Sequence, residues 1–293
     1  GWGSTQIVAQ LAGAALLLVA FIAIERRQER PMLDLGLFRK PTFAGASIVA
    51  FSLSGSMFAM FLYLTLYIQN ILGYSPLQAG LRFLPLTLLS FVAAPISGRL
   101  STRLPIRGFF VVGLAMVGAA LLLMGGLSAD STWTALLAGF CLAGVGVGLI
   151  NPALASTAVG VVPPSRSGMG SGINNTFRQV GIATGIAGLG AVFQHQVQSK
   201  ALALLAGTPP GASGNANRLA HMLGGNQARE AIASVPGPQR GLVAGIARES
   251  FISGINELFV ITAALAFLGA VLAFVLVRQR DFVAGAAHVA AAD

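Results

Sequence analysis

Charge is what this sequence has least of. Asp, Glu, Lys and Arg together make up 9% of the 293 residues, where a soluble domain of this size carries about 25%. A water-solvated globule is therefore excluded. Cysteine is nearly absent: Cys141 stands alone, which rules out an internal disulfide and a cysteine-rich metal site. Acids are rarer than bases, nine against eighteen, and Glu257 is the one carboxylate inside an apolar run. The three histidines, His195, His221 and His288, fall outside such runs. No paired catalytic groups and no metal ligand set can be assembled from these residues, so an enzyme is not expected. No GxxxxGK[ST] loop occurs, so ATP is not expected to drive the protein. No cofactor is implied.

What remains is apolar. A helix needs about 20 mostly apolar residues to cross a bilayer, and seven such runs occur, at 5–24, 43–69, 77–97, 108–127, 133–159, 170–193 and 252–277. The net charge of +9 sits mostly in the short loops between them, which argues for a membrane protein rather than a nucleic-acid binder. Arg26, Arg27, Arg30, Arg39 and Lys40 follow the first run, Arg99, Arg103 and Arg107 the third, Arg166 the fifth, and Arg278 and Arg280 the seventh. The intervening loops 70–76 and 128–132 hold no Lys or Arg. The basic loops thus fall on one side, expected to be cytoplasmic. This predicts a multi-pass protein of the plasma (inner) membrane, with the N-terminus of this chain outside and the C-terminus inside.

The expected organisation is a linker transmembrane helix and basic loop over 1–42, a six-helix unit over 43–277, and a cytoplasmic tail over 278–293. Within the six-helix unit, residues 194–251 are rich in Gly, Pro, Ala, Ser and Asn and are expected to form an external loop, with short helices over parts such as 217–232. A folded cap is the alternative. Six helices of this topology can be two three-helix repeats of opposite orientation, a common plan for secondary transporters. The chain begins at Gly1 rather than Met, and we expect it to be part of a longer protein.

Four segments carry candidate functional residues. In GRLSTRLPIR (98–107), Gly98 permits close helix approach and the arginines suit a helix C-terminus; an ordinary basic loop has the same pattern. The fifth run spaces Gly139, Gly144, Gly146 and Gly148 as a smooth packing surface, and Asn151–Pro152 then marks a bend. In the sixth, Asn174, Asn175, Arg178 and Gln179 share one side of a helix. Arg178 lies about 15 Å in at the helical rise, where a charge is either functional or snorkels to the headgroups. The second run is dense in Met and aromatics. Phe58, Phe61 and Tyr63 are cavity candidates there, and lipid contact is the simpler role for any one of them. Arg82 suits an interfacial position. Glu257 either exchanges a proton, pairs with Arg82 or Arg178, or is solvated at the outer interface.

Taken in order, these segments resemble the major facilitator superfamily, specifically its fourteen-span drug:proton antiporters. LYIQNILGYSPLQAGLRFLP (66–85) is similar to that family's second and third spans of the C-terminal half. GRLSTRLPIR is similar to its cytoplasmic signature, roughly G-x-L-x-D-R-x-G-R, matching at Gly98, Leu100, Arg103 and Arg107. Thr102 stands in place of the usual Asp and Pro105 in place of a Gly, which leaves the charge relay of that Asp unsupported in this half. GVGVGLINPALAS and SGMGSGINNTFRQVGIATG also resemble the family. The resemblance covers Gly1 to about Asp281. It implies an all-α membrane protein: one linker helix plus the six-helix C-terminal half of a major facilitator fold. It implies a missing N-terminal half as partner, and alternating-access export of a lipophilic small-molecule substrate against protons across the lipid bilayer. A narrow exporter of one metabolite or antibiotic, or a non-transporting scaffold or sensor, are the alternatives.

Overall fold

The computed structural model describes residues 4–28, 33–208, 216–225 and 227–282. Arg30, His288, the tail beyond residue 282 and the side chain of Arg229 lie outside that description. All regular structure among the described residues is helical: α1 (Thr5–Glu25), α2 (Pro41–Leu66), α3 (Pro76–Arg82), α4 (Leu84–Leu100), α5 (Ile106–Met124), α6 (Leu137–Gly160), α7 (Ser167–Ala206), α8 (Ala216–Gly224), α9 (Ala228–Ala233) and α10 (Arg240–Leu276). Among the described residues, six helical stretches are long and apolar enough to cross a membrane: Thr5–Glu25, Pro41–Ile71, Pro76–Leu100, Ile106–Met124, Trp133–Gly160 and Gly237–Leu276. The seventh expected span is α7. It is the longest helix at 40 residues, yet its Gly, Asn, Gln and Thr content keeps it out of that set.

Local chemistry sets the boundaries. α2 opens on Pro41, whose missing N–H costs nothing at a first helical position, and it ends in a π turn over Tyr67–Ile71. Gly73, at φ +76°, turns the chain, and Ser75 with Gln78 forms a capping box that starts α3. At the other end of the bundle, Asp281 caps the first turn of α2 from across the molecule. Its Oδ2 accepts from the Thr42 N–H at 3.2 Å and from the Thr42 hydroxyl at 2.7 Å. Lys40 donates to the Val161 carbonyl at 2.8 Å, closing the end of α6. Asp34 pairs with Arg166 at 2.6 Å. Around these contacts Leu37, Phe43, Val161, Val162 and Ile173 form a small core of their own.

α4 packs on α6 and α7 on α2, α5 packs on α6 and α10 on α2, and α5 meets α10. Exchanging α2 with α6, α4 with α7 and α5 with α10 leaves these contacts unchanged, while each exchanged pair runs in opposite directions through the bundle; the further contact of α7 with α10 has no counterpart of like extent between α4 and α5. That is the contact pattern of two inverted three-helix repeats. Small residues allow the close pairs. Gly144 faces Leu86, and Gly148 faces Ser90 and Ala93 on α4; Gly139 and Gly146 face α5 at Ala120, Met124 and Gly113. The glycines of the fifth run thus serve two neighbours rather than one. α1 buries none of its apolar side chains, and only Glu25 is covered, accepting from the Leu33 N–H at 3.2 Å.

Residues 194–251 differ from the expected loop. α7 runs on to Ala206, and α10 already begins at Arg240. The reason is a stripe at four-residue spacing, Leu189, Phe193, Val197, Ala201 and Leu205, all buried. It packs against α8, through Leu219, Ala220 and Leu223, and against the outer part of α10. Lys200 and Glu249 pair across these extensions at 3.3 Å.

Candidate functional site

The aromatic candidates on α2 diverge. Phe58 and Phe61 lead to one side: their rings lie 6.0 Å apart, and Phe61 continues to Phe83 at 5.4 Å and on to Phe140 of α6 at 5.2 Å. Tyr63 leads to the other, stacking on Phe193 of α7 at 4.8 Å, which in turn meets Phe251 of α10 at 5.0 Å. Phe58 is 41% exposed and Tyr63 only 6%, so the three do not share a surface. Tyr63 and Phe193 instead line a groove of about 420 Å³ between α2 and α7, with Leu62, Leu66, Ile186 and Gly190, closed at one end by Gly224 and Gly225 of the α8 segment. Gly190 has the Tyr63 hydroxyl beside it: a Cβ there would lie 3.3 Å from it.

The polar side of α7 is partly open. Asn174 is 8% exposed, Arg178 is half-buried, and Asn175 and Gln179 are exposed. Contacts with α2 and the segment before it set their level along the bundle. Phe177 contacts Phe38, in the segment before α2, at 5.6 Å, and Gly181 faces Phe51. Arg178 therefore sits about two turns, roughly 10 Å, along α2 from its start. Phe58 and Phe61 lie about 15 Å further out on the same count. The polar cluster and the aromatic ladder are thus separate levels of one bundle, not one pocket.

The signature residues and the bend meet in part. A Cβ on Gly98 would lie 4.0 Å from the Pro152 Cβ. Pro152 deprives the Gly148 carbonyl of its in-helix donor, and Ser97 of α4 donates to the neighbouring Leu149 carbonyl at 2.7 Å. Asn151 keeps a buried Oδ1 without a partner. Leu100 and Arg103 are exposed. Thr102, in the position of the usual Asp, donates its hydroxyl to the Arg99 carbonyl at 2.8 Å, a local cap that a carboxylate cannot make. Arg107 stands over the Phe274 ring of α10 at 4.6 Å.

Arg82 is held by aromatics: its guanidinium lies 3.3 Å from the Tyr74 ring centroid and 5.4 Å from that of Trp133. Glu257 is exposed on α10. Among the described residues the ion pairs are Arg166–Asp34 and Lys200–Glu249, and Glu257 joins neither Arg82 nor Arg178. Its neighbour Asn256 does the positioning there, accepting from the Leu127 N–H at 3.0 Å and donating to the Leu127 carbonyl at 2.8 Å. That places Glu257 level with the α5–α6 loop. Phe83, Phe140, Phe193, Phe251 and Asn256 were not singled out from sequence. Phe193 was findable from the apolar stripe of α7; the pairing of Asn256 with a loop 129 residues away carried no sequence signal.

A buttressed six-helix unit with matched halves and one open polar helix is the arrangement to compare with known proteins. The profile of the Major Facilitator Superfamily matches residues 2–186. The chain belongs to that superfamily. It is 30% identical over 282 residues to the tetracenomycin C resistance and export protein of Streptomyces glaucescens, covering 93% of this chain and 51% of that relative. It is 35% identical over 193 residues to the multidrug resistance protein Stp of Mycobacterium tuberculosis, covering 66% of this chain and 36% of the relative. To the multidrug efflux pump LfrA of Mycolicibacterium smegmatis it is 30% identical over 274 residues, covering 92% and 53%. The superfamily chain described here thus spans about half, or less, of the length of these relatives.

Proposed function

We propose that this chain is the C-terminal portion of a proton-coupled exporter of lipophilic small molecules. The observation that carries the proposal is α7. Every other bilayer-length helix among the described residues holds an apolar window long enough to cross a membrane, whereas α7 does not and leaves Asn175, Gln179, Thr176 and Thr184 uncovered, with Arg178 half-covered between them. Such a row is costly against acyl chains and suits a water-filled pathway or a facing half. On this reading residues 1–42 are a linker helix and basic loop, 43–277 one transporter half, and 278–293 a tail. An N-terminal half supplies the opposite wall. The basic loops support an orientation with this chain's N-terminus outside and its C-terminus in the cytoplasm.

In this scheme the two halves rock about a midplane site. Phe58 and Phe61 offer the substrate an apolar, polarisable wall, and Tyr63 lines the outer groove. Asn175, Arg178 and Gln179 form the polar inner mouth, where Arg178 disfavours entry of free cations. The Asn151–Pro152 bend, seated against Gly98 of the cytoplasmic signature, is where α4 and α6 flex. Glu257 is the candidate for proton exchange at the outer surface, and a proton drives the cycle only by binding one orientation more tightly than the other.

Efflux of a lipophilic dye from cells expressing the complete polypeptide tests this. Arg178→Ala is expected to abolish efflux while membrane insertion stays intact, and normal efflux by that variant would sink the site. A protonophore is expected to stop efflux; an unaffected rate would remove proton coupling. A narrower reading is favoured by one observation: the relative aligned over 93% of this chain is named for a single antibiotic. A panel of chemically unrelated substrates separates the two, since a narrow exporter moves one class.

A further inference from the structure

A second cavity, of about 490 Å³, opens at the inner end of the bundle, between the start of α5 and the end of α10. That volume is inside the range of roughly 300–1,000 Å³ usual for ligand pockets. Half of its lining residues are cationic, Arg107 from α5 and Arg278 and Arg280 from the turn after α10, with Pro105, Val277 and Gln279 between them. We infer that this cavity binds the headgroup phosphate of an anionic phospholipid.

Three features support an anion there. None of the three arginines takes part in an ion pair among the described residues. The nearest acid in sequence, Asp281, is already occupied, with its Oδ2 on the Thr42 backbone and hydroxyl. α5 has Pro105 as its N-cap, with no side-chain cap; the Gly108 N–H returns to the Pro105 carbonyl, and the Ile106 and Arg107 N–H groups before it present the positive end of the helix dipole. Two further features select a lipid over a soluble anion. Arg107 is held over the Phe274 ring at 4.6 Å, so the charge sits at the edge of the apolar surface. From that edge Leu268, Val271 and Val275 of α10 run outward, each more than half exposed, as a path for acyl chains. The site needs only that the helices cross a bilayer; the proposed orientation adds that the lipid belongs to the inner leaflet.

The test is native mass spectrometry of the purified chain from micelles doped with equal phosphatidylglycerol and phosphatidylcholine. The wild type is expected to retain one phosphatidylglycerol in strong preference. The R107Q/R278Q/R280Q variant is expected to bind it about 100-fold more weakly, at about fivefold per charge. The charge-matched control R26Q/R27Q/R39Q, changed at exposed positions of the linker region, is expected to keep the lipid. Should the triple variant not fold, R278Q/R280Q alters only exposed side chains beyond the helix and is expected to lose about 25-fold. Equal loss in variant and control, or no loss in either, overturns the assignment. Displacement of the lipid by millimolar inorganic phosphate also overturns it, since the cavity would then take the free anion. Dye efflux is not part of the measurement, so a failed lipid site and a failed exporter reading give different results.

Discussion

The closest test of the fold is a methyl group at Gly185. A Cβ built there would lie 2.5 Å from the Gly55 carbonyl oxygen, 2.9 Å from its Cα and 3.1 Å from its carbonyl carbon. All three are rigid backbone of the facing helix α2, so no side chain can swing aside. α2 and α7 must part by roughly 0.5–1 Å, a gap that forfeits a quarter to a half of the dispersion attraction across the seam. Overpacking of this kind costs about 1–3 kcal/mol, and the better helix propensity of Ala returns up to about 1 kcal/mol. Gly185→Ala is therefore expected to lower the thermal midpoint of the purified protein by a few degrees. Gly181→Ala should do the same, because its Cβ would meet the Phe51 carbonyl oxygen at 2.5 Å. The double variant should cost less than the sum, since the helices part only once. Gly188, on the same helix, has nothing within 4 Å, and Gly188→Ala is expected to hold or raise the midpoint. If Gly185→Ala melts with or above Gly188→Ala, the α2–α7 seam is not as close as described.

Two further perturbations probe long-range clamps. Asn256→Leu removes both hydrogen bonds to the Leu127 backbone and is expected to cost about 1–3 kcal/mol, with faster hydrogen exchange over residues 125–129; unchanged protection there would refute the clamp. Asp281→Ala removes the cap on Thr42 and is expected to cost about 1 kcal/mol, read as faster exchange in the first turn of α2, and Thr42→Val should add to it, because it also removes the acceptor of the Arg278 N–H at 2.8 Å.

The spans were legible because crossing a bilayer demands a long apolar run whatever the tertiary fold. The inverted pairing of helices was legible only as a topology, since it lives in contacts such as Gly148 with Ser90 that join residues far apart in the chain. The outer helical extensions were obscured by composition: Gly, Pro and Ser around 207–215 and 234–241 mask the stripe from Leu189 to Leu205, which alone shows that α7 continues. The candidate site was legible as residue types and not as an arrangement. Phe58 and Tyr63 are five apart on α2, about 140° out of phase, so they turn to different neighbours. Arg178 counts as deep only if α7 starts at the membrane edge, whereas the contact of Phe177 with Phe38 fixes its level only relative to the segment before α2.

If the halves rock as proposed, the extension of α7 would also act as a lever. Gln194–Ala206 adds about 20 Å of helix beyond the half-thickness of about 15 Å of a hydrocarbon core, and the Lys200–Glu249 pair and the Phe193–Phe251 contact splint it to α10. A tilt of about 10° at the midplane then sweeps the tip through about 6 Å. Motions too small to follow inside the bilayer are magnified in water, where a label can report them. A soluble binder seated on the tip would hold the half in one posture without ever entering the membrane.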